Sequence, residues 1–270
     1  MTGGEDGACG AAQSAGGGAA EAAAPREYAA RLTADLAAVL GEALTAAYQH
    51  GSAVLGGWVA ERSDVDMLFV VADDVTDVAV AGAADLLTRP ADCPGRGLEC
   101  SMVTVSQAAR PAPPWPFVLH AGSDHFGQGP VLARGDAQAG DADLLMHYAV
   151  SRAAGIALAG PPPAAIIGPV GREPILAYLA GELAWGLANA PECYAVLNAC
   201  RGLVFLDEDR IVSKVAGGHA ILGRCSGPAG LIRRALDQQQ ARAPERPAAP
   251  DAVRFVRQAA AALRKGGRGC

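Results

Sequence analysis

The chain of 270 residues predicts an α/β unit followed by an all-α unit. Three observations carry this. Strand-like apolar runs alternate with helical patterns up to residue 106, helical periodicity dominates beyond residue 141, and a Pro/Gly-rich stretch lies between. The boundaries read from these shifts are a Gly/Ala-rich disordered tail over 1–25, an α/β domain with a mixed sheet over 26–140 and a helical bundle over 141–270.

Residues 26–47 place Tyr28, Leu32, Leu36, Leu40 and Leu44 on one helical stripe. A short strand around Ala46–His50 runs into Gly51, where a helical turn follows. The run VDMLFVV at 65–71 is the clearest strand in the chain. DVTDVAVAGAADLLTRP reads as a helix stopped by Pro90, and LECSMVTVS, 98–106, as another strand. The stretch 107–140, with its polar-aromatic cluster PPWPFVLHAGSDHF, is a linker or a wall of a site. Helices are then expected in DADLLMHYAVSRAAGIAL, REPILAYLAGELAWGLAN, PECYAVLNACRGLVFL, VSKVAGGHAILGR and DAVRFVRQAAAALRKG. Pro191 suits a helix start. The polar, Pro-rich stretch 237–250 is expected to be a mobile loop.

Hydrophobic residues make up 51% of the chain, enough for sizeable cores, and the net charge of −6 weighs against a nucleic-acid partner. The first residues lack the basic start and apolar run of a signal peptide, and no window suits a membrane span, so the expected compartment is the cytoplasm. The seven cysteines include no C-x-x-C pair. Cys193 and Cys200 share a helix face and read as small core residues. Nothing in the pattern fixes an oligomeric state.

Chemistry is concentrated in HGSAVLGGWVAERSDVDMLFVV. Asp64 and Asp66 point the same way on a strand, while Val65 and Met67 point into the core. Two like charges on one face repel unless they sit at a solvated strand mouth or hold a divalent cation. Glu99, inside LECSMVTV, is the third carboxylate, placed to ligate metal or to accept a proton from an attacking hydroxyl. Gly51 and Ser52 follow a strand and open a helical turn, where backbone N–H groups and the Ser52 hydroxyl can meet phosphate oxygens. Ser52 as a plain helix cap is compatible with this. Together the residues describe metal-dependent transfer to or from a nucleoside triphosphate.

The arrangement G-S, eleven residues, then D-V-D-M resembles the signature of the polymerase-β-like nucleotidyltransferases. The wider pattern over residues 28–236 is similar to the bacterial aminoglycoside adenylyltransferases that modify streptomycin and spectinomycin. LECSMVTVS resembles their strand with the catalytic glutamate, and DADLLMHYAVSRAAGIALAGP and AVLNACRGLVFLDEDRIVSK resemble segments of their helical domain. The resemblance implies ATP as donor, Mg²⁺ on Asp64 and Asp66, and Glu99 as base. It also implies ATP contacts from Ser52, Arg201 and Lys214, with the helical domain completing the ATP site and the acceptor cleft.

The acceptor half departs from that pattern. PWPFVLHAGSDHF has Val118 in place of the usual glutamate and His125–Phe126 near the usual tryptophan position. PECYAVLNAC offers Glu192, with Pro191 where the drug-binding aspartate matches. Trp115, His125 and Phe126 either border the acceptor or form a loop packed by its own aromatics. Glu182 either meets a cationic acceptor or is a solvated helix residue. An aminoglycoside-like small molecule is the leading acceptor. A different biosynthetic hydroxyl or amine, a protein side chain, or a catalytically silent nucleotide-binding relative are the alternatives.

Overall fold

Six strands form one sheet: β1 (Leu44–His50), β2 (Val65–Val71), β3 (Leu98–Thr104), β4 (Leu119–Gly122), β5 (Val131–Arg134) and β6 (Ile156–Ala159). In the computed structural model, which describes residues 23–88, 92–123, 129–135, 140–224 and 228–266, they lie in the order β5-β4-β3-β2-β1-β6. β2 and β3 are parallel, and every other pairing is antiparallel. The expected mixed sheet is therefore present.

VDMLFVV is apolar throughout because both of its faces are covered. Val65, Met67, Phe69 and Val71 meet Tyr28, Leu36, Leu40 and Leu87 in one core cluster. That layer comes from α1 (Ala23–Leu40) and from α3 (Asp77–Leu87), whose start is capped by the Thr76 side chain accepting from Ala79 N–H. Between them in sequence lies the single-turn α2 (Ser52–Leu55). On the other face, Leu68 and Val70 join Tyr48 and Val103 in a cluster that continues into the helical part through Leu144, Leu179 and Val196. Each fully buried Leu, Phe or Met contributes about 1.5–3 kcal/mol, so this shared cluster fixes the helices against the sheet.

The helical part comprises α5 (Leu144–Ala154), α6 (Pro163–Ile166), α7 (Arg172–Asn189), α8 (Glu192–Glu208), α9 (Lys214–Gly223), α10 (Ala229–Gln239) and α11 (Pro250–Lys265). Cys193 and Cys200 are buried in its core. Among the described residues, no helix is long and apolar enough to cross a membrane.

Four features differ from the sequence reading. The strand predicted to reach residue 106 stops at Thr104, because Thr104 and Gln107 form a reciprocal capping box that starts α4 (Val105–Ala109). Residues 107–140 contribute β4 and β5, four-residue strands too short for a period to be read. Beyond residue 141 the chain returns to the sheet once, as β6 beside β1, where a helix was expected to run on to Leu158. Tyr48 Oη donates to Pro161 O at 3.0 Å and ties that edge.

The fourth difference is the stretch 237–250, expected to be a mobile loop. It is fastened by Glu192, which was expected to meet the acceptor. The Glu192 side chain is fully buried. It accepts from Arg234 Nε at 2.8 Å, Arg246 Nε at 3.0 Å and Ala249 N at 3.0 Å, while Glu192 N–H donates to Arg246 O at 2.8 Å. Burial works against its charge, but the two arginines and the Ala249 amide outweigh it and hold the carboxyl at about 2, against an ordinary 4.5. Glu192 is thus a fastening point and no part of the cleft. Because its folded pKa is depressed, its stabilisation is complete above about 4.5 and is lost as pH falls from there toward 2. Glu192→Ala is expected to cost about 2–3 kcal/mol in urea unfolding at pH 7. The mutant should lose less stability than the wild type between pH 5 and pH 3, since this term is already gone.

Candidate active site

Strand register builds one row of side chains across the open end of the sheet. His50 pairs with Asp66, Asp66 with Glu99, and Glu99 with Gly122. Neighbouring strands stand about 4.8 Å apart, so the row is short and its members are forced together. With Asp64, one residue before β2, these residues line a cleft of about 480 Å³ between sheet and helices.

Gly51 closes one side of the row. Its φ is +69°, and a Cβ on it would stand 1.7 Å from Asp66 Oδ2. Only a residue without a side chain lets the turn after β1 come against that carboxylate. Ser52 then opens α2 with its hydroxyl at the cleft wall.

Burial, followed by the charges of Glu99 and Asp64, raises the Asp66 carboxyl to about 8. A divalent cation would reverse this by repaying both the desolvation and the repulsion. The donors suit Mg²⁺, which takes hard oxygen ligands and is commonly held by one or two carboxylates together with substrate phosphates. Among the described residues, no group of three or more His, Cys, Asp or Glu forms a metal cluster. Glu99, expected from the sequence as metal ligand or base, stands beside Asp66 in the same row. Glu99 Oε1 lies 3.3 Å from His147 Nε2 on α5.

His147 is the main residue that sequence reasoning missed. Burial disfavours its cation, but the hydrogen bond and charge of Glu99, with Asp143 and Asp141, raise it to about 9. The neighbouring His50, ring centroid 4.9 Å away, is driven the other way to about 3 by burial and by His147. One imidazolium and one neutral imidazole therefore flank the carboxylates. Asp143 precedes α5, one turn before His147. Burial and Asp141 raise it to about 6, and it accepts from Tyr178 Oη at 2.8 Å. The legible signal was polar Asp143 and His147 four residues apart in a stretch whose neighbours Leu144, Leu145 and Met146 are apolar.

Opposite the carboxylates, α8 and α9 bring cations. Arg201 Nε is buried without a hydrogen-bond partner. Lys214 is pressed below its usual value by burial and by the adjacent Arg201 charge. Both line the cleft, and both would gain from an anion between them.

The structure thus gathers Gly51, Ser52, Asp64, Asp66, Glu99, Glu182, Arg201 and Lys214 in one cleft. It does not bring Trp115 there. That residue has a left-handed φ of 63° and is buried in the shared core cluster, consistent with a loop packed by its own aromatics. His125 and Phe126 lie outside the described residues. Tyr178, Trp185 and Tyr194 line the cleft beside Glu182, a wall no motif announced.

A mixed sheet with carboxylates at its open end, closed over by a helical bundle, is the architecture expected from the sequence. The comparisons are more specific for the helices. Residues 174–263 match the family model described as the aminoglycoside adenylyltransferase C-terminal domain. Over the whole chain, the structure is similar to that of spectinomycin adenyltransferase AAD(9) from Enterococcus faecialis, solved with ATP and spectinomycin. The TM-score is 0.63 at 16% identity, covering 89% of this chain and 98% of that one. The family resemblance read from the sequence is thus met by a domain match and by the fold. No curated protein matches the chain by sequence.

Gly51→Ala is expected to cost about 1–3 kcal/mol for the left-handed backbone and to displace Asp66. Thermal unfolding and calorimetry with Mg²⁺–ATP measure the two effects. An alanine variant with unchanged binding would contradict the close approach of Gly51 to Asp66.

Proposed function

We propose that the chain transfers AMP from ATP to a hydroxyl of a cationic, aminoglycoside-like small molecule and releases pyrophosphate. The observation that carries this reading is the pairing of Asp66 with Glu99 on adjacent parallel strands, facing Arg201 and Lys214 across one cleft. Carboxylates at one side and cations at the other suit a triphosphate whose α-phosphorus lies between them.

Mg²⁺ held by Asp64 and Asp66 would neutralise phosphate oxygens and favour attack at phosphorus. The Gly51–Ser52 turn meets the outer phosphates with its backbone N–H groups and hydroxyl. Glu99 accepts the proton of the acceptor hydroxyl, and His147, at 3.3 Å, orients that carboxylate. The freed oxygen attacks the α-phosphorus, the bond to the bridging oxygen breaks, and Lys214 and Arg201 stabilise the charge that develops on pyrophosphate.

The helical wall of the cleft supports a cationic acceptor. Asp143 and Glu182 line it with Tyr178 and Trp185, which supply carboxylates for ammonium groups and aromatic faces for the ring body. The first acceptor to test is the spectinomycin named for the similar structure, followed by streptomycin and a panel of amino-polyols.

Incubation with Mg²⁺, each nucleoside triphosphate and this panel, read by mass spectrometry, should give an acceptor heavier by one AMP unit. Glu99→Gln is expected to lower turnover by about 10²–10⁴-fold while leaving ATP affinity nearly intact. Unaltered turnover in that variant would remove Glu99 from the role of base.

A further inference from the structure

Tyr194 has no role in the steps above, yet it stands where the two halves of the cleft meet. It lies in the first turn of α8, between α7 and the first residue of α9. Its ring has space because residue 186 is glycine: a Cβ there would come within 3.2 Å of Tyr194 Cδ1. Trp185 packs edge-on against the same ring, with centroids 5.9 Å apart and planes at 65°. The Tyr194 hydroxyl donates to Glu182 Oε1. Burial, then the Glu182 charge, keep that hydroxyl protonated and able to donate. On the ring face, Lys214 Nζ lies 4.7 Å from the centroid.

These contacts have opposite destinations. Both residues line the cleft, and in the nucleotidyl-transfer reading Lys214 serves the phosphate end and Glu182 the acceptor wall. A lysine carries a flexible four-carbon stem, and burial leaves its ammonium few stable placements. An aromatic face is one of them, since it attracts the cation without neutralising it as a carboxylate would. The ammonium is thereby held in place with its charge still available to an anion.

We propose that Tyr194 is a positioning residue, whose ring face holds the Lys214 ammonium at the phosphate end while its hydroxyl holds Glu182 at the acceptor end. The proposal rests on the nucleotidyl-transfer reading given above.

The test is a thermodynamic cycle on ligand affinity, measured by calorimetry with Mg²⁺–ATP and separately with inorganic pyrophosphate. The proteins are the wild type, Tyr194→Leu, Tyr194→Phe, Lys214→Met and the Tyr194→Leu/Lys214→Met double variant. Tyr194→Leu is expected to weaken ATP binding about fivefold, and Tyr194→Phe, which restores the ring, to recover most of that loss. In the Lys214→Met background, Tyr194→Leu should add nothing, because the ring acts through the lysine. A loss of the same size with and without Lys214 marks a merely structural role and overturns the proposal, as does a Tyr194→Leu protein that binds like the wild type. Thermal midpoints report folding, and Tyr194→Met replaces Leu throughout if the leucine variant unfolds. A wild type that binds pyrophosphate but no nucleoside triphosphate overturns the nucleotidyl-transfer reading, and Tyr194 is then judged by the same cycle on pyrophosphate. Binding of neither ligand overturns both.

Discussion

The parallel pairing of β2 with β3 is the constraint on which the site depends. It places Asp66 beside Glu99, and no loop adjustment could substitute for it. Side chains alternate along a strand, so a slip of one residue would send one carboxylate to the opposite face, among Met67, Phe69 and Leu36. The apolar residues on both faces of β2 therefore do more than fill cores. They hold the register that aligns the acidic row.

Charge follows from that geometry. Burial, and then the neighbouring carboxylates, make Asp66 resist ionisation, while burial, and then the Arg201 charge, press Lys214 below its usual value. Each side of the cleft is less stable alone than with a ligand of opposite sign between them. A ligand that carries a cation at one end and an anion at the other would relieve both sides at once. Glu99 differs from the two aspartates in having His147 beside it, at 3.3 Å.

How much of this was legible depends on the range over which each feature is encoded. Gly51, Ser52, Asp64, Asp66 and Glu99 lie on strands or their immediate ends, where alternation and turn chemistry are local, and they could be named from the sequence. Arg201 and Lys214 came only from resemblance, since a lone cation on a helix carries no local sign of its partner. His147 and Tyr194 were hidden for a related reason: their roles are set by helix packing against distant elements. Glu192 shows the opposite error. A carboxylate at a helix start before Arg201 looked available for a substrate, but Arg234 and Arg246, 42 and 54 residues later, had already taken it. The short strands β4, β5 and β6 were lost because four residues are too few to display a period, and their pairing is dictated by a neighbour.

The row from His50 to Gly122 draws its members from four strands, whereas Asp143, Tyr178 and Glu182 are surface positions on two helix segments. The spacing of the row's members is set by backbone pairing on both sides, so none can shift without its neighbours. A change in the helical wall replaces one side chain and leaves the hydrogen-bond ladder untouched. The scaffold is thus partitioned into a portion that tolerates almost no drift and a portion open to single-step exchange. Single substitutions in that wall leave the register of the row in place and reach it only through side chains, Asp143 through His147 and Glu182 through Tyr194.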